Sequence, residues 1–397
     1  MCDELLHRIN HSLSHACKSS FYQNKAIPKQ INSISDFEKI PLTRKDELRN
    51  SSPFEVLSVP MSEIQEYHES FGTTGKPVPV WYSRKDMQVS AKQLYNKDLN
   101  ITKEDISLIR FPYAISVPAH IFSRMFIEQG ATIIPVSRGS TVTPYPRVLE
   151  IMKRLKTTIL ACNPSEAILL AKTAVRLGYD VSQDFKIRAI CVGGEMLHPL
   201  RRKIIEELWK AKVYDYFGST ETANIAVSCG NGNLHCSKDY YLEVLDIKDG
   251  KTVSKEGKGF LVVTQLNNEA FPLIRYHTGD IVEIKRSDCP CGNDEDIMIH
   301  HGRYNDLIQV GSQSCTMYEL QEALFTCENM NEIIFWKMHN QKDQLFIYIE
   351  GEPKGSTTDI KLNLPFPNKV IFVEPQEIQN IDKLLEMTEL RKASYFI

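Results

Sequence analysis

Between residues 107 and 217 the chain repeats one pattern, a short apolar run followed by a longer amphipathic one. SLIRF (107–111), ATIIPV (131–136), TTILA (157–161), IRAICV (187–192) and KVYDYF (212–217) read as strands. Residues 118–129, 145–155, 164–178 and 199–210 lie between them and carry helical spacing. A strand followed each time by a helix of about ten to fifteen residues needs a crossover to reach the next strand, and crossovers make a largely parallel sheet. The pattern predicts an α/β fold with helices flanking the sheet.

At 397 residues the chain is too long for one core and predicts more than one domain. It opens with a helix that places Leu5, Leu6, Ile9 and Leu13 on one face. Thr43 reads as the N-cap of a second helix, with Asp46 and Glu47 in its first turn. From about residue 240 strands dominate, in EVLDI, GFLVVTQL, PLIRYHTGDIVEI and DIMIHHG. Beyond Gly302 a helix is expected near 317–326 and strands near 332–337, 344–350 and 369–373. The expected organisation is a large domain, 1–301, of mixed sheets flanked by helices, with a β-rich part at 240–301. A small mobile α+β domain, 302–397, follows, with the hinge at Arg303-Tyr304-Asn305-Asp306.

Composition removes several function classes. The net charge is −3 and no basic stripe stands out, which argues against a nucleic-acid surface. No apolar run approaches a membrane span. The opening MCDELLHRINHSL lacks the apolar core of a secretory leader. Ten scattered cysteines suit a reducing, cytoplasmic setting.

Four stretches carry chemistry. Ser70-Phe71-Gly72-Thr73-Thr74-Gly75-Lys76-Pro77 collects free N–H groups, hydroxyls and an ammonium on one loop, as a polyphosphate requires. A Walker loop would end in Lys-Ser/Thr and open a helix; here Pro77 follows the lysine, and Val78, Val80 and Tyr82 alternate as in a strand. Cys191-Val192-Gly193-Gly194-Glu195 ends a strand, where such sheets bind ligands. Tyr216-Phe217-Gly218-Ser219-Thr220-Glu221 ends the next with an aromatic ring, two hydroxyls and a carboxylate able to hold Mg²⁺ on phosphates. Locally that stretch reads as a strand-to-helix turn capped by Ser219 or Thr220. Arg275-Tyr276-His277-Thr278-Gly279-Asp280 reads as a turn joining two strands, with Asp280 able to accept from two ribose hydroxyls. His300 and His301 read as strand-end residues. Separately, Cys229, His235, Cys289 and Cys291 make three thiolates and an imidazole, the donor set of a closed structural zinc site. Cys236 is an alternative to His235.

Taken in order, GTTGKP, GGE, YFGSTE, RYHTGD and GRYND resemble the adenylate-forming superfamily of acyl-CoA ligases and peptide-synthetase adenylation domains. DFEKIPLTRKDELRNSSPFEVLSVP, GATIIPVSRGST, LHCSKDYYLEV, FPLIRYHTGD and CPCG are similar to its phenylacetate–CoA ligase branch. The resemblance covers residues 35–325 well and the last seventy or so poorly. It implies that Thr73, Thr74, Gly75 and Lys76 hold the β- and γ-phosphates of ATP. Gly193, Gly194 and Glu195 would line the adenine, and Phe217 would stack where the family usually has tyrosine. Ser219 and Thr220 would serve the nucleotide, Thr220 at the α-phosphate, while Glu221 would hold Mg²⁺. Asp280 and Arg303 would reach the ribose, with the hinge at Asn305-Asp306. The branch also carries the Cys, Leu-His and Cys-x-Cys-Gly elements, which supports the zinc.

Three positions depart from the family pattern. Phe71 replaces a small hydroxyl residue, Gly311-Ser312 stands where Arg-Gly is usual, and the C-terminal catalytic lysine lacks its Gly-Lys context, leaving Lys383 as the candidate by position. Tyr113, His120, Ser165 and Thr222 are the candidates for an acyl pocket suited to a planar acid. The resulting expectation is an enzyme that activates a small aromatic carboxylic acid as its acyl-adenylate and passes it to CoA or a carrier-protein thiol. Two other readings stay open: an adenylating enzyme with an amine or other acceptor, and a degenerate homologue that binds nucleotide and a partner without turnover.

Overall fold

The computed structural model describes residues 2–70, 75–328, 333–354 and 360–386. Phe71, Thr73 and Thr74 of the glycine loop lie outside the described residues. The chain divides into two compact units. Met1–Glu104, Phe111–Ile133 and Tyr214–Ile299 form the first; Asp105–Arg110, Ile134–Val213 and His300–Ile397 form the second.

In the second unit the expected crossovers are present. Strands Ile106–Ile109, Ile159–Cys162 and Ala189–Gly193 run parallel, with Ser107 opposite Ile159 and Ile159 opposite Ala189. Helices Tyr145–Arg154, Pro164–Arg176 and Pro199–Trp209 each open on a proline at the first or second position, where its missing N–H costs nothing. Val148, Leu149, Met152, Ala167, Leu170, Ile205 and Trp209 bury their apolar faces against Leu160, Ile190 and Val192 of the sheet. The short helix Val181–Asp184, capped by Asp180, was not legible in the spacing.

Residues beyond 302 in this unit have an apolar core of their own. Helix Met317–Phe325 supplies Leu320 and Leu324, and a three-stranded sheet supplies Leu345, Ile347, Ile349 and Val370. The middle strand, Gln344–Glu350, sits where the sequence places it. Its partner is Trp336–Gln341 rather than 332–337, because the tight turn at Lys342-Asp343 sets Gln341 opposite Gln344 and fixes the register.

The first unit is built on antiparallel strands, in the order Val253–Ser254, Tyr240–Leu245, Gly257–Gln265 and Tyr276–Lys285, with Leu234–Cys236 paired to Ala223–Ser228. A separate hairpin pairs Ile64–Glu69 with Pro79–Ser83, and Val78, Val80 and Tyr82 are all buried. Helix Cys2–Ala16 buries Ile9 and Leu13, as its apolar face requires.

Three local expectations fail, each for a visible reason. Thr43 is no cap: it pairs as a strand residue with Tyr276, and its hydroxyl donates to the Ile274 carbonyl. Arg44 takes the cap position of helix Lys45–Asn50, with Glu47 accepting its N–H. The stretch after Tyr216 turns into a strand, not a helix, because Ala223–Ser228 folds back antiparallel on it. Arg275–Asp280 is no hairpin tip either. Tyr276 already lies in a strand, and Arg275 is buried at φ +45° against Glu243 at 2.7 Å.

Candidate functional site

At the carboxyl ends of the parallel strands, Asn163 follows Ile159–Cys162, and Gly193 ends Ala189–Gly193 with Gly194-Glu195 after it. Asn163 Nδ2 donates to the Gly193 carbonyl at 2.9 Å. Gly194 sits at φ +77°, and a Cβ there would come within 2.9 Å of that same amide nitrogen, so a larger residue would strain the corner twice over. Glu195 accepts from the Ser165 N–H at 3.1 Å and from the Ser165 hydroxyl at 2.6 Å. Ser165, a candidate for the acyl pocket, is thus the anchor of Glu195. Beneath them Glu166 is fully buried and saturated: Arg110 Nε at 2.6 Å, Tyr145 hydroxyl at 2.9 Å and Arg138 Nε at 3.2 Å. Arg138 also reaches Asn163 Oδ1 at 3.1 Å, tying the buried network to the corner.

In the first unit Ser219–Thr222 makes the turn between two strands. Ser219 and Thr222 bond each other through hydroxyls and N–H groups. The Tyr82 hydroxyl donates to the Thr220 carbonyl at 2.7 Å, and the Tyr240 hydroxyl donates to the Thr222 carbonyl at 2.6 Å. Phe217 is half-buried and packs against the apolar cluster of Val244, Val263 and Val282. Glu221 is buried, with Lys45 Nζ 2.9 Å from its Oε1 in an ion pair whose angle is not that of a hydrogen bond. Lys45 comes from the TRKDELR segment, and nothing in the sequence links it to Glu221, 176 positions on. Helix Lys45–Asn50 also brings Arg49 to the glycine loop, since a Cβ on Gly75 would lie 3.6 Å from Arg49 Nη1. Ser70 closes the base of that loop by accepting from the Val78 N–H at 2.9 Å, and Gly75 and Lys76 are exposed. Asp280 is buried in the strand Tyr276–Lys285, its N–H on Thr278 Oγ1.

Tyr113 and His120 come together, ring centroids 5.6 Å apart, with His120 Nε2 3.0 Å from the Tyr113 carbonyl and Tyr113 hydroxyl on Ser123 Oγ. His120 leads to a group the sequence did not single out. Glu66 Oε2 is 3.1 Å from His120 Nδ1 and 3.1 Å from His68 Nε2, and Arg124 holds the other oxygen. His120, then His68 and Arg124, keep the Glu66 carboxyl well below the usual range against the opposing effect of burial.

The four zinc candidates converge. Their ligand atoms all lie within 4.8 Å of one another, with Cys229 Sγ 3.6 Å from Cys289 Sγ and Cys291 Sγ 3.3 Å from His235 Nε2. His235 Nδ1 faces the Glu295 carbonyl at 3.0 Å, leaving Nε2 to the cluster. Asn233 Nδ2 and the Asn293 N–H point at the sulfurs of Cys289 and Cys291. Cys236 is not an alternative ligand. Strand alternation turns it away from His235 into an apolar cluster, where burial pushes its thiol up to about 12.

In the second unit Arg303 ends the strand Ile297–Arg303, just before a single helical turn, Tyr304–Asp306. His301 in that strand is buried beside Tyr318. Lys383 is exposed on helix Ile381–Leu385, whose Asp382 pairs with Arg176 at 2.6 Å. Gly311 is the turn of the hairpin Ile308–Val310 and Gln313–Cys315. Among the described residues no helix is long and apolar enough to cross a membrane.

The family model described as AMP-binding enzyme matches residues 70–268. The chain is 29% identical to the phenylacetate-coenzyme A ligase of Thermus thermophilus over 276 residues, 67% of this chain and 60% of that protein. It is 27% identical to the ligase of the same name from Pseudomonas putida over 341 residues, 80% of this chain and 76% of that one. A crystal structure of 2-hydroxyisobutyryl-CoA ligase in the postadenylation state shares its fold. The TM-score is 0.83 at 22% identity, over 95% of this chain and 86% of that one. Since the model spans half of its 397 residues, the chain belongs to the AMP-binding enzyme family, in the phenylacetate–CoA ligase-like branch.

Proposed function

We propose that the chain activates a small, aromatic carboxylic acid with ATP and transfers the acyl group to CoA. The observation that carries this reading is Glu221, a buried carboxylate at a tight turn inside the matched region, with one lysine beside it. In the first step a carboxylate oxygen of the acid attacks the α-phosphorus, the bond to the bridging oxygen breaks, and pyrophosphate leaves. In the second the thiol sulfur attacks the acyl carbonyl and AMP leaves. Thr73, Thr74, Gly75 and Lys76 would hold the outgoing phosphates, Thr220 the α-phosphate, and Asp280 and Arg303 the ribose. Gly193 and Gly194 are small enough to admit the adenine, Glu195 would face it, and Phe217 would stack on it, with Ser219 in the same set. Glu221 fits a Mg²⁺ ligand, being a buried oxygen donor beside an ammonium that can yield. Bound there, the ion would neutralise charge on the phosphates.

Tyr113, His120, Ser165 and Thr222 remain our candidates for the acid. We treat residues 1–301 and 302–397 as the large and small domains, with Asn305-Asp306 as hinge and Lys383 as the cation for adenylation. Single-turnover kinetics of Lys383→Ala would test the lysine, because they separate the two half-reactions. The thiols and the need for ATP suit a cytoplasmic enzyme. Cys229, His235, Cys289 and Cys291 fit a closed tetrahedral zinc site by donor type and mutual distance. Replacing Cys289 by serine should remove about one zinc per chain.

The deciding experiment is Mg²⁺-dependent ATP–pyrophosphate exchange across a panel of aryl and short acyl acids. Exchange with at least one acid, followed by thioester formation with CoA, supports the reading. Exchange without CoA transfer would move the acceptor to a carrier thiol or an amine. ATP binding with no exchange for any acid would make the chain a degenerate homologue.

A further inference from the structure

Glu66 and His68 lie on one face of the strand Ile64–Glu69, and His120 on the helix Pro118–Glu128. Their three facing atoms lie within 4.8 Å of one another, and two of the edges, from Glu66 Oε2 to each imidazole, are 3.1 Å. The outer ring nitrogens face carbonyls: His68 Nδ1 that of Ile115 at 3.2 Å, His120 Nε2 that of Tyr113 at 3.0 Å. Each ring is therefore flanked by two oxygen acceptors. A neutral imidazole carries one N–H and can satisfy only one of them. On each neutral ring the nitrogen without a proton would set its lone pair against an oxygen, and His68 is buried from water.

A cation removes the conflict. Each ring then gives its one N–H to a carbonyl and its lone pair to the ion, which is how metal-bound histidines are held in proteins. Arg124 takes the Glu66 oxygen that faces away from the rings, the usual support for a ligating carboxylate. Edges of 3.1 Å suit donors each about 2.0–2.2 Å from a common ion. The backbone agrees. Ile115, β-branched, is held at φ +58°, a conformation such residues avoid, and its carbonyl accepts from both His68 and the Glu69 N–H.

We propose that Glu66, His68 and His120 form a binding site for a divalent first-row transition-metal ion, distinct from the thiolate cluster. Two imidazoles and one carboxylate favour such an ion over Ca²⁺ or Mg²⁺. Three protein donors leave the remaining positions to water or a ligand. A bound ion would pin the hairpin that carries the 70–76 loop to the Pro118 helix, which stands on no assumption about the reaction.

Cobalt(II) loading of the full-length, metal-stripped protein tests this. The thiolate cluster would give sulfur-to-cobalt charge-transfer absorption, and a site of nitrogen and oxygen donors would not. The expected result is one cobalt per chain beyond those reporting through sulfur, lost in His120→Gln with the charge-transfer band unchanged. Because His120 is only half-buried, that variant leaves the core intact; Glu66→Gln should lose the same equivalent. Cobalt bound solely through sulfur, or undiminished cobalt in both variants, would overturn the site.

Discussion

Two buried glutamates make opposite use of their burial. Glu166, in the first turn of the Pro164 helix, has both oxygens taken by Arg110, Arg138 and Tyr145. Glu221, at the turn after Ser219, has a lysine close by and no aligned donor on Oε1. A saturated carboxylate has no capacity left for a ligand and serves the fold. A carboxylate paired with a single ammonium has capacity left for a ligand, and a bound cation would relieve the cost of its burial further. On the function proposed above, the contrast would separate a charge that serves the fold from one kept for a ligand.

The contrast breaks most visibly at Glu166. Glu166→Ala leaves the Arg110 guanidinium buried without its partner, and the loss should be about 3–5 kcal/mol in a denaturant titration. A loss below about 1 kcal/mol would mean that Glu166 is as exchangeable as Glu221. Glu221→Gln should lower ATP–pyrophosphate exchange by about 100-fold or more, since the charge stabilisation supplied by the Mg²⁺ it would hold is worth several kcal/mol. Its unfolding midpoint should barely move; a large stability loss with intact exchange would reverse the two roles. Lys45→Met strips Glu221 of its counter-charge and should cost about 1–3 kcal/mol in metal-free buffer. Mg²⁺ with ATP should then raise the melting temperature more in the variant than in the parent, and an equal rise would show that the lysine does not stand in for the ion. Ser165→Ala sharpens the comparison at its finest grain. Glu195 loses one of two donors, about 1 kcal/mol, and the KM for ATP should rise with kcat nearly unchanged.

What the sequence made legible follows from how far apart the cooperating residues lie. Strands and helices between 106 and 217 could be read because each is set by its own periodicity, and the parallel pairing follows from the crossovers. The thiolate cluster could be read because Cys289 and Cys291 are two residues apart and Cys229 and His235 six. Lys45 could not, since a lysine opening a helix looks like any solvated charge until the fold brings Glu221 to it. Glu66 and His68 alternate along a strand as ordinary half-buried residues do, and their third member comes fifty-two positions later, on a helix. The turn at Ser219 was misread for a different reason. Its hydroxyls have the chemistry of a helix cap, but Ile225 and Val227 two residues apart were the strand signal that outweighed it.

Gly218 bears on how such sequences drift. A Cβ at this position would sit 1.9 Å from the Ala223 carbonyl oxygen, so the hairpin admits no other residue there, whatever the turn binds. Glu221 is under no comparable obligation, because glutamine fills the same space. A lineage that lost catalysis would therefore go on displaying the glycine of the motif long after its carboxylate had gone. In a related chain of unknown activity, the glycine testifies only to the hairpin. The acid three residues later is the letter to read.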